Sequence, residues 1–231
     1  MILIRQHDER GHFDHGWLDT RHTFSFAGYR DPAYMGYSAL RVINEDIIAP
    51  GAGFPTHGHR DMEILTYVMR GALAHRDSLG NGSIIEAGDV QCMSAGKGVE
   101  HSEYNASAHE MVHLLQIWIV PAERNLEPRY RQKHFPAEAK LGKWCLIASP
   151  GGGESLEIRQ DVRLLAALIN PGTSLSYPLA PGRHAWLQIA QGGIRLNGQA
   201  LQAGDGAAIE EESEIHVESG EPGEVLLFDL A

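Results

Sequence analysis

The stretch GAGFPTHGHRDMEILTYVMRG, residues 51–71, holds two short runs suited to β-strands, and a glycine stands at each of its ends. The first run, 54–59, places His57 and His59 two residues apart, and the second run, 62–69, is mostly apolar. Alternate side chains of a strand leave the same face, so the two imidazoles share a face with their Cα atoms about 7 Å apart. We therefore predict strands here, carrying two histidines that can converge on one ion.

Similar short apolar runs, separated by turn residues, continue along the whole chain, a pattern typical of all-β sandwiches and barrels. In the first half they predict strands near residues 38–44, 54–59, 62–69, 72–76, 83–86, 90–93 and 111–119. In the second half they predict strands near residues 144–148, 156–158, 173–178, 185–190, 193–196, 199–202, 207–209, 214–217 and 224–229. Few short helices are expected. A turn after Pro121 is one candidate, and the run VRLLAALI, residues 162–169, suits either a helix or a strand.

The two halves of the sequence are faintly alike. MRGAL (69–73) and EAGDV (86–90) in the first half are echoed by QGGIR (191–195) and QAGDG (202–206) in the second. A chain of 231 residues is long enough for two domains. We therefore predict two copies of one β-fold, over residues 1–125 and 126–231, with the proline-containing segment 121–143 as the connection.

The composition argues against several classes of protein. Lys and Arg number 19 and Asp and Glu number 30, so the formal net charge is −11. This excess of acid argues against a nucleic-acid groove or an anionic membrane surface, both of which need clustered basic charge. Two cysteines do not make a disulfide scaffold, and the four apolar residues at the N-terminus are too few for a secretion signal. We therefore expect a cytoplasmic protein that binds neither nucleic acid nor membrane.

A second polar motif, SAGKGVEHSEYN, occupies residues 94–105 and repeats the two-residue spacing with His101 and Glu103. If a small barrel brings the two motifs together, three imidazoles and one carboxylate can surround one ion. Such donors suit iron, nickel, copper, manganese or zinc. Glu63 is an alternative carboxylate, because it has the same strand parity as His59. It can act as a ligand or as the acceptor for an imidazole N–H.

These residues resemble the two metal-binding motifs of the cupin superfamily. Gly51-x5-His57-x-His59-x3-Glu63, followed by Gly71, resembles the first motif, and Gly88-x5-Ser94-x-Gly96-x4-His101-x3-Asn105 resembles the second. The second motif has Ser94 in place of its usual proline, and Gly96 lies two residues farther from the histidine than usual. Together with the stretch HGWLDTRHTFSFAGYRDPAYMGYSALRVINED (15–46), these departures resemble the pirin family of bicupins.

The resemblance implies two tandem cupin barrels, each a jelly roll, in an all-β bicupin. It implies one divalent transition metal per chain, held by His57, His59, His101 and Glu103, with Glu103 also able to act as a general base. Iron is the favoured metal, and nickel, copper, manganese, cobalt and zinc are alternatives. Glu63 is left with a supporting role or with the alternative ligand position.

The second half lacks the corresponding histidine pair. Pro178 and Ala180 occupy the positions that, by spacing, are equivalent to His57 and His59. His184 and His216 fall near motif positions, but neither has a neighbouring histidine. We therefore predict that the second barrel binds no metal.

The resemblance to pirins implies an oxidoreductase, a quercetin 2,3-dioxygenase that opens the ring of a flavonol with dioxygen. Its partners would be a small aromatic substrate and dioxygen, and two barrels in one chain make a monomer plausible. Two other hypotheses stay open: a non-catalytic, metal-binding regulator of transcription or metabolism, and an isomerase or decarboxylase at the same ligands. A sugar-phosphate isomerase should show several basic residues near the site, and Arg60 is the one candidate.

Overall fold

The computed structural model describes residues 1–231 and is built almost entirely of strands, as predicted. The strands of the first half are β1 (Ile2–Arg5), β2 (Gly11–Asp14), β3 (Leu18–His22), β4 (Leu40–Ile48), β5 (Gly53–His59), β6 (Glu63–Arg70), β7 (Ala72–Asp77), β8 (Gly82–Glu86), β9 (Asp89–Ser94), β10 (Val99–Asn105), β11 (Val112–Ile119) and β12 (Arg129–His134). Those of the second half are β13 (Cys145–Ser149), β14 (Leu156–Glu157), β15 (Val162–Ile169), β16 (Ser174–Pro178), β17 (His184–Gln191), β18 (Gly193–Leu196), β19 (Gln199–Gln202), β20 (Gly206–Ile209), β21 (Glu214–Glu218) and β22 (Gly223–Leu230). One 3₁₀ turn, His7–Glu9, and one helix, α1 (Ala137–Lys140), complete the chain. Neither has the length or the apolar character that crossing a bilayer as a helix demands.

The first compact unit consists of Gly11–His134 and Leu156–Gln160. Its larger sheet has the strand order β12-β9-β6-β11-β4-β3-β2, and its smaller sheet has the order β5-β10-β7-β8. Side chains alternate along β10, where Val99, His101, Glu103 and Asn105 are buried and the residues between them are less so. This alternation follows from the pleat of the strand. It turns the polar side chains of the second sequence motif towards the interior.

The second compact unit consists of Met1–Arg10, Phe135–Ser155 and Asp161–Ala231. Its larger sheet contains the order β1-β20-β17-β22-β15-β13, and its smaller sheet has the order β16-β21-β18-β19. Aliphatic side chains from both sheets form its core, and Leu187, Ile215 and Leu227 in that core are completely buried. The interior of this unit therefore has the character of an ordinary hydrophobic core.

The two units differ from the predicted division at residue 125 in two respects. The first ten residues belong to the second unit, because β1 pairs antiparallel with β20. Residues Leu156–Gln160 belong to the first unit. The sequence contains no sign of the first exchange, since it depends on strand pairing between distant segments.

Several local predictions need correction. The ambiguous run at 162–169 is strand β15, the turn after Pro121 is not helical, and the helix lies instead at Ala137–Lys140. Within the predicted connection, residues Arg129–His134 form β12, which pairs with β9 despite the prolines on either side. Strands β1, β2 and β3 also went unpredicted. In β2 and β3, polar and charged residues hide the simple alternation of an amphipathic strand.

Gly206 of β20 offers a test of packing in the second unit. A Cβ atom at this position would lie 2.4 Å from the buried ring of Trp186. We expect Gly206→Ala to lower the free energy of unfolding by roughly 1–3 kcal/mol, because the ring must shift within a packed core. Urea denaturation measures this change. Gly151→Ala is the matched control, since no atom lies within 4 Å of its added Cβ. Equal stability of the two variants would contradict the packing described here.

Candidate metal centre

The two histidine motifs meet on neighbouring strands of the smaller sheet in the first unit. β5 and β10 pair antiparallel, with His101 opposite His57 and Val99 opposite His59. Directly opposed residues of such a pair point to the same face, which makes the three imidazoles neighbours. Their ring centroids are 4.5–4.8 Å apart. Ring nitrogens of all three histidines lie within 4.8 Å of one another.

An irregularity in the pairing gives this cluster its shape. His101 is opposite His57, and Glu103 is opposite Phe54. One residue of β10 therefore faces two residues of β5 between these pairs, so β5 carries one extra residue. Such a bulge re-aims side chains, and Pro55, which has no N–H for the ladder, lies inside it. The carbonyl oxygen of Pro55 is 2.8 Å from Nδ1 of His57. Because a carbonyl only accepts, Nδ1 carries the proton, and Nε2 keeps the lone pair that can bind a metal.

The electrostatics of the cluster favour neutral imidazoles at His59 and His101. Burial, followed by the nearby His57, lowers the pKa of His59 to about 4. Burial, followed by the nearby His57, His59 and His75, lowers the pKa of His101 to about 3. The Nε2 atoms of His59 and His101 are 2.9 Å apart. Two nitrogens bound at right angles to one ion, each at about 2.1 Å, would be about 3.0 Å apart. The donors and their spacing therefore fit a transition-metal ion.

Glu103 is buried beside this cluster, but it does not lie within the set of three histidines. Its carboxylate groups with His101 and His75, again within 4.8 Å. Oε2 accepts a hydrogen bond of 3.0 Å from Nε2 of Gln116, and Oε1 accepts one of 3.4 Å from Oγ1 of Thr66. His101 is thus the residue that the two clusters share.

The pKa of Glu103 is raised to about 7. Burial is the largest cause, and the charge of Asp46 adds to it, while hydrogen bonds from Thr66 and Gln116 oppose the rise. A carboxyl group that titrates near neutral pH can both accept and return a proton in that range. This property distinguishes Glu103 from an ordinary surface carboxylate.

A row of polar side chains crosses the larger sheet next to Glu103. The register pairs one residue of each strand with the next, in the order His22, Asn44, Gln116, Thr66 and Gln91. Opposed residues share a face, so this row lies on one side of the sheet. Two of its members are the donors to Glu103. The interior is therefore polar at the level of the candidate centre, although the surrounding strands are rich in aliphatic residues.

Glu63, the alternative carboxylate, lies outside both clusters. Its Oε2 accepts a hydrogen bond of 2.8 Å from Oγ of Ser94 and one of 3.2 Å from the backbone N–H of Arg159. Burial, the largest influence, raises its pKa. Of the two carboxylates, only that of Glu103 shares a cluster with one of the three predicted ligand histidines, namely His101.

His75 is the residue of this region that the sequence analysis overlooked. It lies on β7 opposite Glu103, and its Nε2 is 3.2 Å from Oδ2 of Asp77. His75 and Asp77 have the same two-residue spacing as His101 and Glu103, which is the signal that the sequence offered. Asp77 also begins the turn-like segment DSLGNG, residues 77–82, which hides the spacing of this pair.

A cavity of about 360 Å³, here called the metal-side cavity, opens onto the centre. It is lined by Phe26, Asn44, Asp46, Phe54, Pro55, His57, His59, Glu103, Gln116 and Trp118. The ring of Trp118 packs edge-on against His59 at 5.0 Å and against Phe26 at 5.2 Å. The cavity thus joins aromatic walls to two imidazoles and two carboxyl groups, and it has the size of a small-molecule site.

The two histidines singled out in the second half lie elsewhere. The ring nitrogens of His216 are 3.0 Å and 3.1 Å from the hydroxyl oxygens of Ser174 and Ser176. Neither His216 nor His184 belongs to a cluster of three potential metal ligands. That the second unit binds no metal remains a prediction.

Comparison with known protein families decides the relationship of the chain. The family model described as pirin matches residues 4–119, half of the sequence. The chain belongs to the pirin family. The model described as quercetinase C-terminal cupin domain matches residues 146–230 of this pirin. The predicted arrangement of two cupin domains is thereby confirmed.

Relatives of this pirin match it over its full length. The quercetin 2,3-dioxygenase of Escherichia coli K12 is 47% identical over 230 residues, covering 100% of this chain and 99% of that protein. A pirin-like protein of Caulobacter vibrioides is 44% identical over 233 residues, covering 100% of both. The crystal structure of the Escherichia coli pirin YhhW in complex with nickel(II) has a TM-score of 0.94 and 47% identity, covering 100% of this chain and 99% of that one. These likenesses, together with the histidine cluster, support a single transition-metal centre.

The raised pKa of Glu103 predicts how the stability of the metal-free pirin depends on pH. The folded state holds this proton more tightly than the unfolded state, whose ordinary pKa is 4.5. The Glu103 carboxyl therefore lowers the free energy of unfolding as pH rises from about 4.5 to about 7. Relative to the native protein, Glu103→Gln should gain on the order of 1–3 kcal/mol between pH 4 and pH 8.

Urea denaturation in EDTA at pH 4, 6 and 8 measures this gain. Glu100→Gln is the matched control, because Glu100 is an exposed residue of the same strand. Its stability relative to the native protein should be nearly independent of pH. A constant difference between Glu103→Gln and the native protein across the three pH values would show that the carboxyl has an ordinary pKa.

Proposed function

We propose that this pirin opens the ring of a flavonol such as quercetin with dioxygen, as a metal-dependent dioxygenase. The observation that carries the proposal is the metal-side cavity, in which aromatic walls adjoin two imidazoles and the buried carboxyl group of Glu103. A flat, polyhydroxylated aromatic suits such walls. The name of the Escherichia coli relative adds support from a protein 47% identical to this one.

In this proposal His57, His59 and His101 hold one divalent transition metal, and Glu103 supplies the carboxylate. The chemistry of three imidazoles and one carboxylate is compatible with iron, our first choice, and with nickel, copper, manganese, cobalt or zinc. When bound, the ion would polarise and orient the substrate and dioxygen. Glu63 takes no ligand position in this proposal, and it accepts its hydrogen bonds from Ser94 and Arg159 rather than from an imidazole.

Glu103 is the proposed general base. A carboxylate oxygen of Glu103 takes the proton from the enolic hydroxyl group of the substrate, and the pKa of about 7 suits this transfer at neutral pH. The side chains of Gln116 and Thr66 hold the carboxylate by donating hydrogen bonds to it. Phe26 and Trp118, packed edge to face, keep water from one side of the substrate.

The protein is proposed to act in the cytoplasm as a monomer. Both cysteines, Cys92 and Cys145, are free thiols, a state that a reducing compartment maintains. Burial raises the pKa of the Cys92 thiol, so it is an unreactive core residue and takes no part in the proposed chemistry.

The ligand assignment predicts a selective loss of metal. We expect His59→Ala to lower the affinity for the metal at least 100-fold, because it removes one donor from the cluster. Metal content by inductively coupled plasma mass spectrometry, after dialysis against a weak chelator, measures the loss. His216→Ala, in the second unit, is the control and should retain native metal content. Full retention of metal by His59→Ala would refute the ligand assignment.

The proposed activity predicts that the metal-loaded protein consumes dioxygen when quercetin is added. Glu103→Gln should reduce the rate by roughly 100-fold or more, because the amide cannot accept the proton. An oxygen electrode measures the rate, with Glu100→Gln as the matched control. A protein that holds one metal per chain and consumes no oxygen with any flavonol would exclude the dioxygenase and leave the regulatory hypothesis.

A further inference from the structure

A second cavity, of about 350 Å³, lies next to the metal-side cavity in the first unit and is here called the distal pocket. It is lined by His15, Trp17, Leu18, Thr20, His22, Phe26, Ala27, Asn44, Asp46 and Phe54. No proposed metal ligand is among these residues. The proposed reaction therefore leaves this pocket without a role.

Four residues, Phe26, Asn44, Asp46 and Phe54, line both cavities. The two cavities are therefore neighbours, and the side chains of these four residues form the wall between them. Each cavity alone lies at the lower end of the range of about 300–1,000 Å³ for small-molecule sites. Together the two cavities offer about twice the volume of the metal-side cavity alone.

The shared wall has two aromatic members and two polar ones. Phe54 packs edge-on against Trp17 of the distal pocket at 5.3 Å, and Phe26 packs edge-on against Trp118 of the metal-side cavity at 5.2 Å. Asn44 and Asp46 are two residues apart on β4, so their side chains leave the same face. A flat ring can contact the aromatic members while its substituents reach the polar pair.

Asn44 carries the strongest sign of a missing partner. The residue is 3% exposed, and its Oδ1 atom is buried without a hydrogen-bond partner. A buried amide oxygen left unpaired costs roughly 1–3 kcal/mol, so such atoms in native proteins call for an explanation. Asn44 also lies in the polar row, between Gln116 of the metal-side cavity and His22 of the distal pocket. Its oxygen is therefore placed to accept a hydrogen bond from a ligand that spans the two.

Resting on the proposed function, we infer that the distal pocket binds the far, hydroxylated ring of an extended aromatic substrate, with Asn44 and Asp46 accepting hydrogen bonds from its hydroxyl groups. The reacting, enolic end of the substrate then lies in the metal-side cavity near Glu103. Asn44 and Asp46 become specificity-determining residues, because they favour substrates whose far ring carries hydroxyl groups. A single-ring catechol in the metal-side cavity has no second ring to form these hydrogen bonds.

Two flavonols that differ only in the hydroxyl groups of the pendant ring test this inference. Quercetin has these hydroxyls and galangin lacks them. Isothermal titration calorimetry of the metal-loaded protein, without oxygen, should show quercetin binding roughly 5–10-fold more tightly than galangin. Asn44→Leu, which removes the acceptor at similar size, should weaken quercetin binding by that factor and leave galangin binding within about twofold.

Thr23→Val is the matched control for Asn44→Leu. Thr23 is also fully buried, and its Oγ1 atom also lacks a hydrogen-bond partner, but it lines neither cavity. This variant should keep the native preference for quercetin. Asp46→Asn preserves shape and replaces a charged acceptor by a weaker neutral one, so it should reduce the preference even if Asn44→Leu folds poorly.

The outcomes separate this inference from the proposed function. If the native protein binds both flavonols equally, or if Asn44→Leu folds and keeps the preference, the distal pocket does not read the pendant ring. Oxygen uptake with both flavonols would then leave the dioxygenase proposal standing. If neither flavonol binds at all, the dioxygenase proposal and this inference fall together.

Discussion

The pairing of β5 with β10 is the constraint on which the candidate centre depends. Opposing His57 to His101 across the pair puts both imidazoles on one face, and a shift by one residue would turn every side chain of one strand over. The extra residue of β5 lies between the positions opposite His101 and Glu103. The carboxylate of Glu103 therefore belongs to a different cluster from His57 and His59. Gly53 allows the close approach, because a Cβ there would lie 2.2 Å from the backbone oxygen of Glu103.

The polar interior beside this pair works against stability in the metal-free chain. Glu103 and Asp46 are both almost completely buried, and their mutual repulsion contributes to the raised pKa of Glu103. Hydrogen bonds from the polar row lower the cost of burying one carboxylate but do not remove it. A bound cation would neutralise part of this charge. Such sites are typical of places where a fold gives up stability for function.

The sequence was sufficient for whatever depends on short spacing. The all-β class and the pairs His57/His59 and His101/Glu103 follow from alternation and from motif resemblance, and the structure places the three histidines together. The features that could not be predicted from the sequence depend on pairing between distant strands. The polar row exists only because five strands align in register, so Asn44 and Gln116 look like isolated polar residues within apolar runs.

The exchange of the first strand has a consequence for synthesis. β1 leaves the ribosome about 200 residues before β20, its only strand partner in the sheet order, so at about 5–20 residues per second it waits roughly 10–40 seconds for that partner. During this interval Gly11–His134, nearly the whole first unit, has been made and can fold. The larger sheet of the second unit, by contrast, is complete only when β20 and β22 have been made. Residues that are made early therefore complete the sheet of the unit that is made last.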